Sequence, residues 1–244
     1  MIEMILFLIA FCAFTFSTVA AGGGAMIMLP VVKELIGASE AAPLVQLGNF
    51  VGRPTRILLF WKFIQWKVVL YYLPLALIGA FLGAWLFAET GLKWLQLIIA
   101  LFLISSFWQF RFGKRPRSFP MKLIWFAPLG FVVAFISSLV GATGPVLNPF
   151  YINYGLEKEE LVATKAANSF LIALIQLPSY AFFGALGSDL WLKGLVMGLG
   201  AALGNFAGKR WLSRISNQAF RELLVWIMLI IGVVFLVVWV KDYI

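Results

Sequence analysis

Apolar runs long enough to cross a bilayer recur from one end of this 244-residue chain to the other. That feature fixes the class of fold. Backbone taken into hydrocarbon must satisfy its N–H and C=O groups internally, so such a chain folds as a bundle of membrane-spanning helices. The runs lie near 2–21, 24–36, 41–61, 68–88, 92–110, 122–140, 145–155, 160–183, 190–208 and 219–240. With 63% hydrophobic and 12% charged residues, nothing remains from which to build a water-soluble domain. The net charge of +9 does not point to nucleic acid, because the basic residues sit in short loops between apolar runs, where they set membrane orientation. The chain has no histidine, and Cys12 is its single cysteine. An internal disulfide, a thiolate metal site and the usual imidazole proton shuttle are therefore all unexpected. Residues 1–21 carry one charge, Glu3, and no positive n-region, so a retained first helix is expected rather than a cleaved signal peptide.

Two of the runs, 24–36 and 145–155, are too short to span about 30 Å at about 1.5 Å per residue. Each follows a break: Gly22-Gly23-Gly24-Ala25 ahead of Pro30, and Gly141-Ala142-Thr143-Gly144 ahead of Pro149. Glycines interrupt a helix and let backbone approach a ligand closely. Non-helical backbone survives in a membrane only where protein buries it or a watery cavity wets it. A short helix restarting after such a break aims unpaired N–H groups and a positive dipole end inward, which suits an anion. A single break could be a plain turn or a packing device. Two at matching places in two halves point to a substrate site. Thr143 could cap the second short helix or touch an anion's oxygen.

The halves repeat. A shift of 119 residues superposes Gly22 on Gly141, Pro30 on Pro149, Glu40 on Glu159 and Asn49 on Asn168. A shift of 121 superposes Gly79 on Gly200 and Gly83 on Gly204, whose GxxxG spacing reads as close helix packing. If each long-plus-short pair crosses once, the repeats are parallel and the basic loop residues divide nine to seven. If each pair enters and returns as a hairpin, the repeats are inverted. One side then holds Lys62, Lys67, Arg111, Lys114, Arg115, Arg117, Lys122, Lys158, Lys209, Arg210, Arg214 and Arg221, and the other only Lys33, Lys93, Lys193 and Lys241. Twelve against four satisfies the positive-inside rule, so the inverted arrangement is expected, with both termini outside. The repeats fall at 1–113 and 122–244, joined by a cytoplasmic linker at 114–121. The fold class is an all-α polytopic membrane protein of two inverted repeats, each a Gly-broken hairpin plus three transmembrane helices.

Polar residues inside the runs mark the candidate site. Gln46, Asn49 and Arg53 share one helical face, and Lys165, Asn168, Ser169 and Gln176 stud the equivalent helix of the second half. An ionisable group within the bilayer costs several kcal/mol and is a functional hypothesis by default. Arg56 lies nearer the cytoplasmic end and is expected to snorkel. All ten carboxylates, by contrast, fall at segment ends or in loops, which leaves no buried Asp or Glu for a proton relay. With no nucleotide fold, phosphate loop or nucleophile–base pair, neither an enzyme nor a cofactor is expected. The residues themselves indicate an anion, an inward-facing polar site and no carboxylate relay.

In its size, its two related halves and the breaks that end in Pro30 and Pro149, the chain resembles the TauE/SafE family of sulfite exporter-like permeases, also called TSUP. The second break departs from that family's glycine cluster at Ala142, Thr143 and Pro145. The resemblance implies transport of a small sulfur-containing or organic anion, such as sulfite, sulfoacetate or another organosulfonate, across a bacterial inner membrane. The substrate-binding candidates are then Gly22, Gly23, Gly24, Ala25, Gln46, Asn49 and Arg53 from the first half, with Gly141, Thr143, Gly144, Lys165, Asn168, Ser169 and Gln176 from the second. Expected partners are the small anion and the lipid bilayer, with no nucleic acid and with a homodimer possible. The alternative is an anion channel-like conductor without ion coupling.

Overall fold

Long apolar runs become long helices. The computed structural model describes residues 2–87, 94–110, 117–140 and 144–243, and every regular element among them is helical. Lys93, Glu89, residues 111–116 of the central linker region and the break at Gly141–Thr143 lie outside the described residues. In the first half, α1 (Ile2–Val19) and the short α2 (Gly24–Leu35) precede α3 (Ala38–Phe60), α4 (Trp66–Phe87) and α5 (Trp94–Gln109). The second half repeats the order with α6 (Phe126–Val140), α7 (Asn148–Tyr154), α8 (Lys158–Phe182), α9 (Leu190–Leu212) and α10 (Asn217–Tyr243). Among the described residues, α1, α4, α8, α9 and α10 are long and apolar enough to cross a bilayer. Helix α3 has the length, at 23 residues, but spends its apolar character on Gln46, Asn49, Arg53 and Arg56.

The second half-helix is shorter than the apolar run 145–155. Gly144–Leu147 forms a 3₁₀ turn, and α7 proper has seven residues. Pro145 and Pro149 supply no N–H, so the α-helical ladder starts only at Asn148, with Pro149 in its first turn. Gly155, in the left-handed region at φ 103°, ends it. Helix α8 then starts from a capping box, in which Glu157 and Glu160 satisfy each other's backbone N–H groups.

Contact registers fix the helix directions. Gly79 and Gly83 of α4 lie against the carbonyls of Phe131 and Phe135 of α6, so these two helices are parallel. Gly200 and Gly204 of α9 lie in the same way against Phe7 and Phe11 of α1. Gly48 and Gly52 of α3 meet Met197 and Ala201 of α9, so α1, α3 and α9 all run together. Helices α3 and α8 are antiparallel, since Phe50 stacks on Phe170 while Gln65, just beyond the C-terminal end of α3, bonds Thr164. Helices α4 and α8 set out together from Gln65 and Thr164 and both reach Ser138 of α6, which bonds Ala80 and Gln176. Thus α4, α6 and α8 run opposite to α1, α3 and α9. Because α1 and α6 open the two halves, the repeats are inverted. Because α1 and α3 are parallel, α2 runs back between them, and the first break is the tip of a hairpin.

The halves are interlocked rather than side by side. Helix α1 packs on α9 and α4 on α6, each across the repeat boundary. At these glycines a β-carbon would come within 2.3–2.4 Å of the facing carbonyl oxygen, so only glycine permits the approach. Large apolar side chains face outward, among them Leu70, Ile78 and Phe81 of α4 and Leu195, Leu199 and Phe206 of α9, as they do on a surface solvated by lipid tails. The buried interior includes Tyr72, Tyr151, Tyr180 and Phe126, with Phe126 stacked on Tyr151 at 5.4 Å between ring centroids.

Candidate functional site

The two hairpin tips meet inside the bundle. Ala21, Gly22 and Gly23 have φ of 46°, 140° and 97°, a run of positive φ that turns the chain between α1 and α2. Gly22 and Gly23 lie against the backbone of Gly144 in the second hairpin: a β-carbon on Gly22 would sit 3.2 Å from the Gly144 carbonyl carbon. The N-cap of α2 is Gly23, which has no side chain to cap the helix.

Beside the tips is a cavity of about 100 Å³. That is several times the 10–15 Å³ or so that admits one water, and room for a small ion. Helix α3 contributes Gln46, Asn49, Arg53 and Arg56, which recur at spacings of three and four along one face. Helix α8 contributes Lys165, Ser169 and Gln176; the first hairpin contributes Gly22, Gly23, Gly24 and Ala25; the second contributes Gly144. Three of the residues expected at the site from sequence are not found lining the cavity among the described residues. Gly141 and Thr143 lie outside the described residues. Asn168 does not line the cavity: its amide donates to the Tyr151 hydroxyl at 2.7 Å. Tyr151, on α7, takes up that amide.

Three cations converge on the cavity. Arg53 Nη1 donates to the Ser169 carbonyl at 2.9 Å, and its Nη2 reaches Gln46 Oε1 at 3.4 Å. Lys165, on the neighbouring helix, is buried and donates from Nζ to the carbonyl of Ala21 and to Asn148 Oδ1, so one ammonium touches both hairpins. Arg56 corrects the sequence expectation. Instead of snorkelling, it lines the cavity, donating from Nε and Nη2 to Asn205 Oδ1 at 3.1 and 2.8 Å and from Nη2 to Thr18 Oγ1 at 3.0 Å. Asn205 is held in turn by its own bond to the Gly52 carbonyl at 2.9 Å. The sequence carried one signal for Arg56, its place on the face of Gln46, Asn49 and Arg53. Asn205, inside a glycine-rich packing helix, carried none.

The electrostatics follow from these partners. Each hydrogen bond found for the three cations among the described residues goes to a neutral oxygen. No described Asp or Glu is buried. Taking a charge out of water costs several kcal/mol unless a counter-charge answers it. Among the described residues Asn49 Nδ2 is buried without a partner and adds a donor to the same cavity. The cavity thus gathers donors and positive charge on one part of a lining that Phe14, Val133, Leu147 and Ile172 otherwise make apolar. Among the described residues no group of His, Cys, Asp and Glu could hold a metal ion.

Residues 6–235 match the family described as sulfite exporter TauE/SafE. No curated protein and no solved structure matches the chain. The matched stretch takes in both hairpins, all three cations and the cross-packed glycine helices, and on that coverage the chain belongs to the sulfite exporter TauE/SafE family.

Proposed function

We propose that this multi-pass membrane transporter is a secondary carrier for a small sulfur-containing or organic oxyanion, with sulfite, sulfoacetate and other organosulfonates as the substrate class, and that it works in a bacterial inner membrane. The observation that carries the proposal is the convergence of Arg53, Arg56 and Lys165 on one cavity, with only neutral partners among the described residues. A planar guanidinium offers paired donors to an oxyanion, and an ammonium offers a compact charge. Arg56, fixed by Asn205 and Thr18, supplies a preset positive group, so little side-chain entropy is lost when an anion arrives. Asn49 adds a neutral donor for an oxygen, and the uncapped start of α2 adds backbone N–H groups.

Inverted repeats supply the transport step in this proposal. Two halves of opposite orientation can exchange conformations around a fixed central site, opening it to one side and then the other. The halves are residues 1–113 and 122–244, with 114–121 as a cytoplasmic linker and both termini outside. The tips that meet at Gly22 and Gly144 then form the barrier between the two sides.

The test is flux into proteoliposomes across a panel of sulfite, sulfoacetate, a carboxylate of matched size and an uncharged sulfone. Saturable uptake of the sulfur oxyanions, competed by one another and not by the sulfone, is the expected result. Equal uptake of the sulfone would overturn anion selectivity. Currents far above carrier turnover would instead make the protein a channel. Arg53→Gln and Arg56→Gln should each raise the half-saturating anion concentration at unchanged protein yield.

A further inference from the structure

A second concavity lies away from the tips, on the outer surface of α6. It encloses about 390 Å³ and is walled by Trp125, Pro128, Leu129 and Val132, with Phe119, Met121 and Phe150 closing its sides. Residues 125, 128, 129 and 132 recur at helical spacing, so they form one stripe that runs about 10 Å along the helix at about 1.5 Å per residue. Trp125 and Val132 are 58% and 49% exposed, so no other part of the described chain covers the groove. One side is held in place: Phe150 stacks on Phe102 at 5.8 Å and meets Phe119 edge-on at 5.9 Å. The approach to Phe119 is fixed by Asn153 Oδ1, which accepts from the backbone N–H groups of Ser118 and Phe119 at 2.6 and 3.0 Å.

Basic residues flank in sequence the segment that closes one side of the groove, and the Arg117 guanidinium lies against Gly155, just past the end of α7. Arg117 and Lys122 are both exposed and bracket the segment that supplies Phe119 and Met121. Trp125 follows that segment, and exposed tryptophans at helix ends sit at the headgroup level of a bilayer. The groove therefore starts at the interface, where Arg117 and Lys122 flank the segment that forms its wall, and continues into hydrocarbon as an apolar slot. A second copy of the chain fits it poorly, because a two-fold contact there would gather the basic rims of both copies into one patch.

We infer that this groove is a binding site for an anionic phospholipid, one acyl chain lying along Trp125, Leu129 and Val132 and the phosphate headgroup between Arg117 and Lys122. The headgroup contributes what the slot lacks, a negative charge at the basic end, as expected of basic clusters next to membrane helices. This inference is independent of the transported substrate.

The experiment uses the full-length protein purified in detergent, with phosphatidylglycerol and phosphatidylcholine of identical acyl chains. Native mass spectrometry should show phosphatidylglycerol binding on the order of tenfold or more tighter, the worth of two basic side chains near one phosphate. The double variant Arg117→Gln, Lys122→Gln should lose that preference while still taking up phosphatidylcholine. In the unmodified protein, phosphatidylglycerol with a photoreactive acyl chain should label the peptide spanning Trp125–Val132, a readout that does not depend on any variant folding. Equal binding of the two lipids, a preference that survives the double variant, labelling elsewhere, or a dimer protected from labelling at this groove would each overturn the inference.

Discussion

At the scale of single residues the site turns on Lys165. Its ammonium contacts Ala21 in one hairpin and Asn148 in the other, and a β-carbon at Gly22 would come within 2.8 Å of Nζ. Replacement by glutamine removes the charge and keeps much of the length. Lys165→Gln should weaken anion binding by about 1.5–3 kcal/mol, the usual worth of a hydrogen bond to a charged group. Calorimetry with sulfite on the purified protein measures this directly. Affinity equal to the parent's would show that Lys165 only ties the hairpins together. At the same scale, sequence and structure diverge for a physical reason. Gln46, Asn49 and Arg53 were legible because a helix places spacings of three and four on one face. Arg56 continues that spacing, but its place in the cavity rather than at the interface depends on acceptors from two other helices, Thr18 of α1 and Asn205 of α9, which spacing does not reveal. Asn168 shows the same dependence: a tyrosine from another helix takes its amide.

At the scale of elements, the hairpin tips are what the glycines are for. Gly23 has φ 97°, and Gly144 leaves only 3.2 Å between an added β-carbon and the Gly23 nitrogen. A branched side chain at either place is strained or collides with the opposite tip. Gly23→Val and Gly144→Val should each abolish flux in proteoliposomes while the protein still inserts and purifies as a single species. Normal flux in either variant would reduce the breaks to packing turns. The breaks were readable from composition alone, since glycine clusters and proline stop helices wherever they occur. The length of α7 was not, because it depended on where Pro145 and Pro149 let the first full turn close.

At the scale of the whole molecule, the inversion and the exchange of helices make two demands. The two glycine contacts are equivalent, α4 against α6 and α9 against α1. Gly83→Leu and Gly204→Leu should therefore cost similar stability, at least the 1–3 kcal/mol or so of an overpacked core, read as matching falls in thermal midpoint in detergent. A large loss at one and none at the other would break the equivalence. The second demand concerns orientation. Twelve of the sixteen basic residues outside the helix interiors fall on one side of the inverted arrangement, which puts the C-terminus on the other. A reporter active only in the cytoplasm, fused after Ile244, should stay silent, and a strong signal there would reverse the assignment. The inversion was legible in the loops because loop charge records topology. The exchange of α1 and α4 between halves was not, because glycine spacing says that a helix packs closely without saying against which partner.

That exchange also governs how the protein can be made. Phe7 of α1 meets Gly200 of α9, and Phe11 meets Gly204. At about 5–20 residues per second, the partner of α1 leaves the ribosome on the order of 10–40 s after α1 itself. For that interval α1 stands in the bilayer with its packing face open, while α4 finds its own partner, α6, much sooner. The first half therefore completes nothing by itself. Its opening helix is stored in lipid until the fourth helix of the second half arrives, and a chain cut short before Gly200 leaves α1 without its seat.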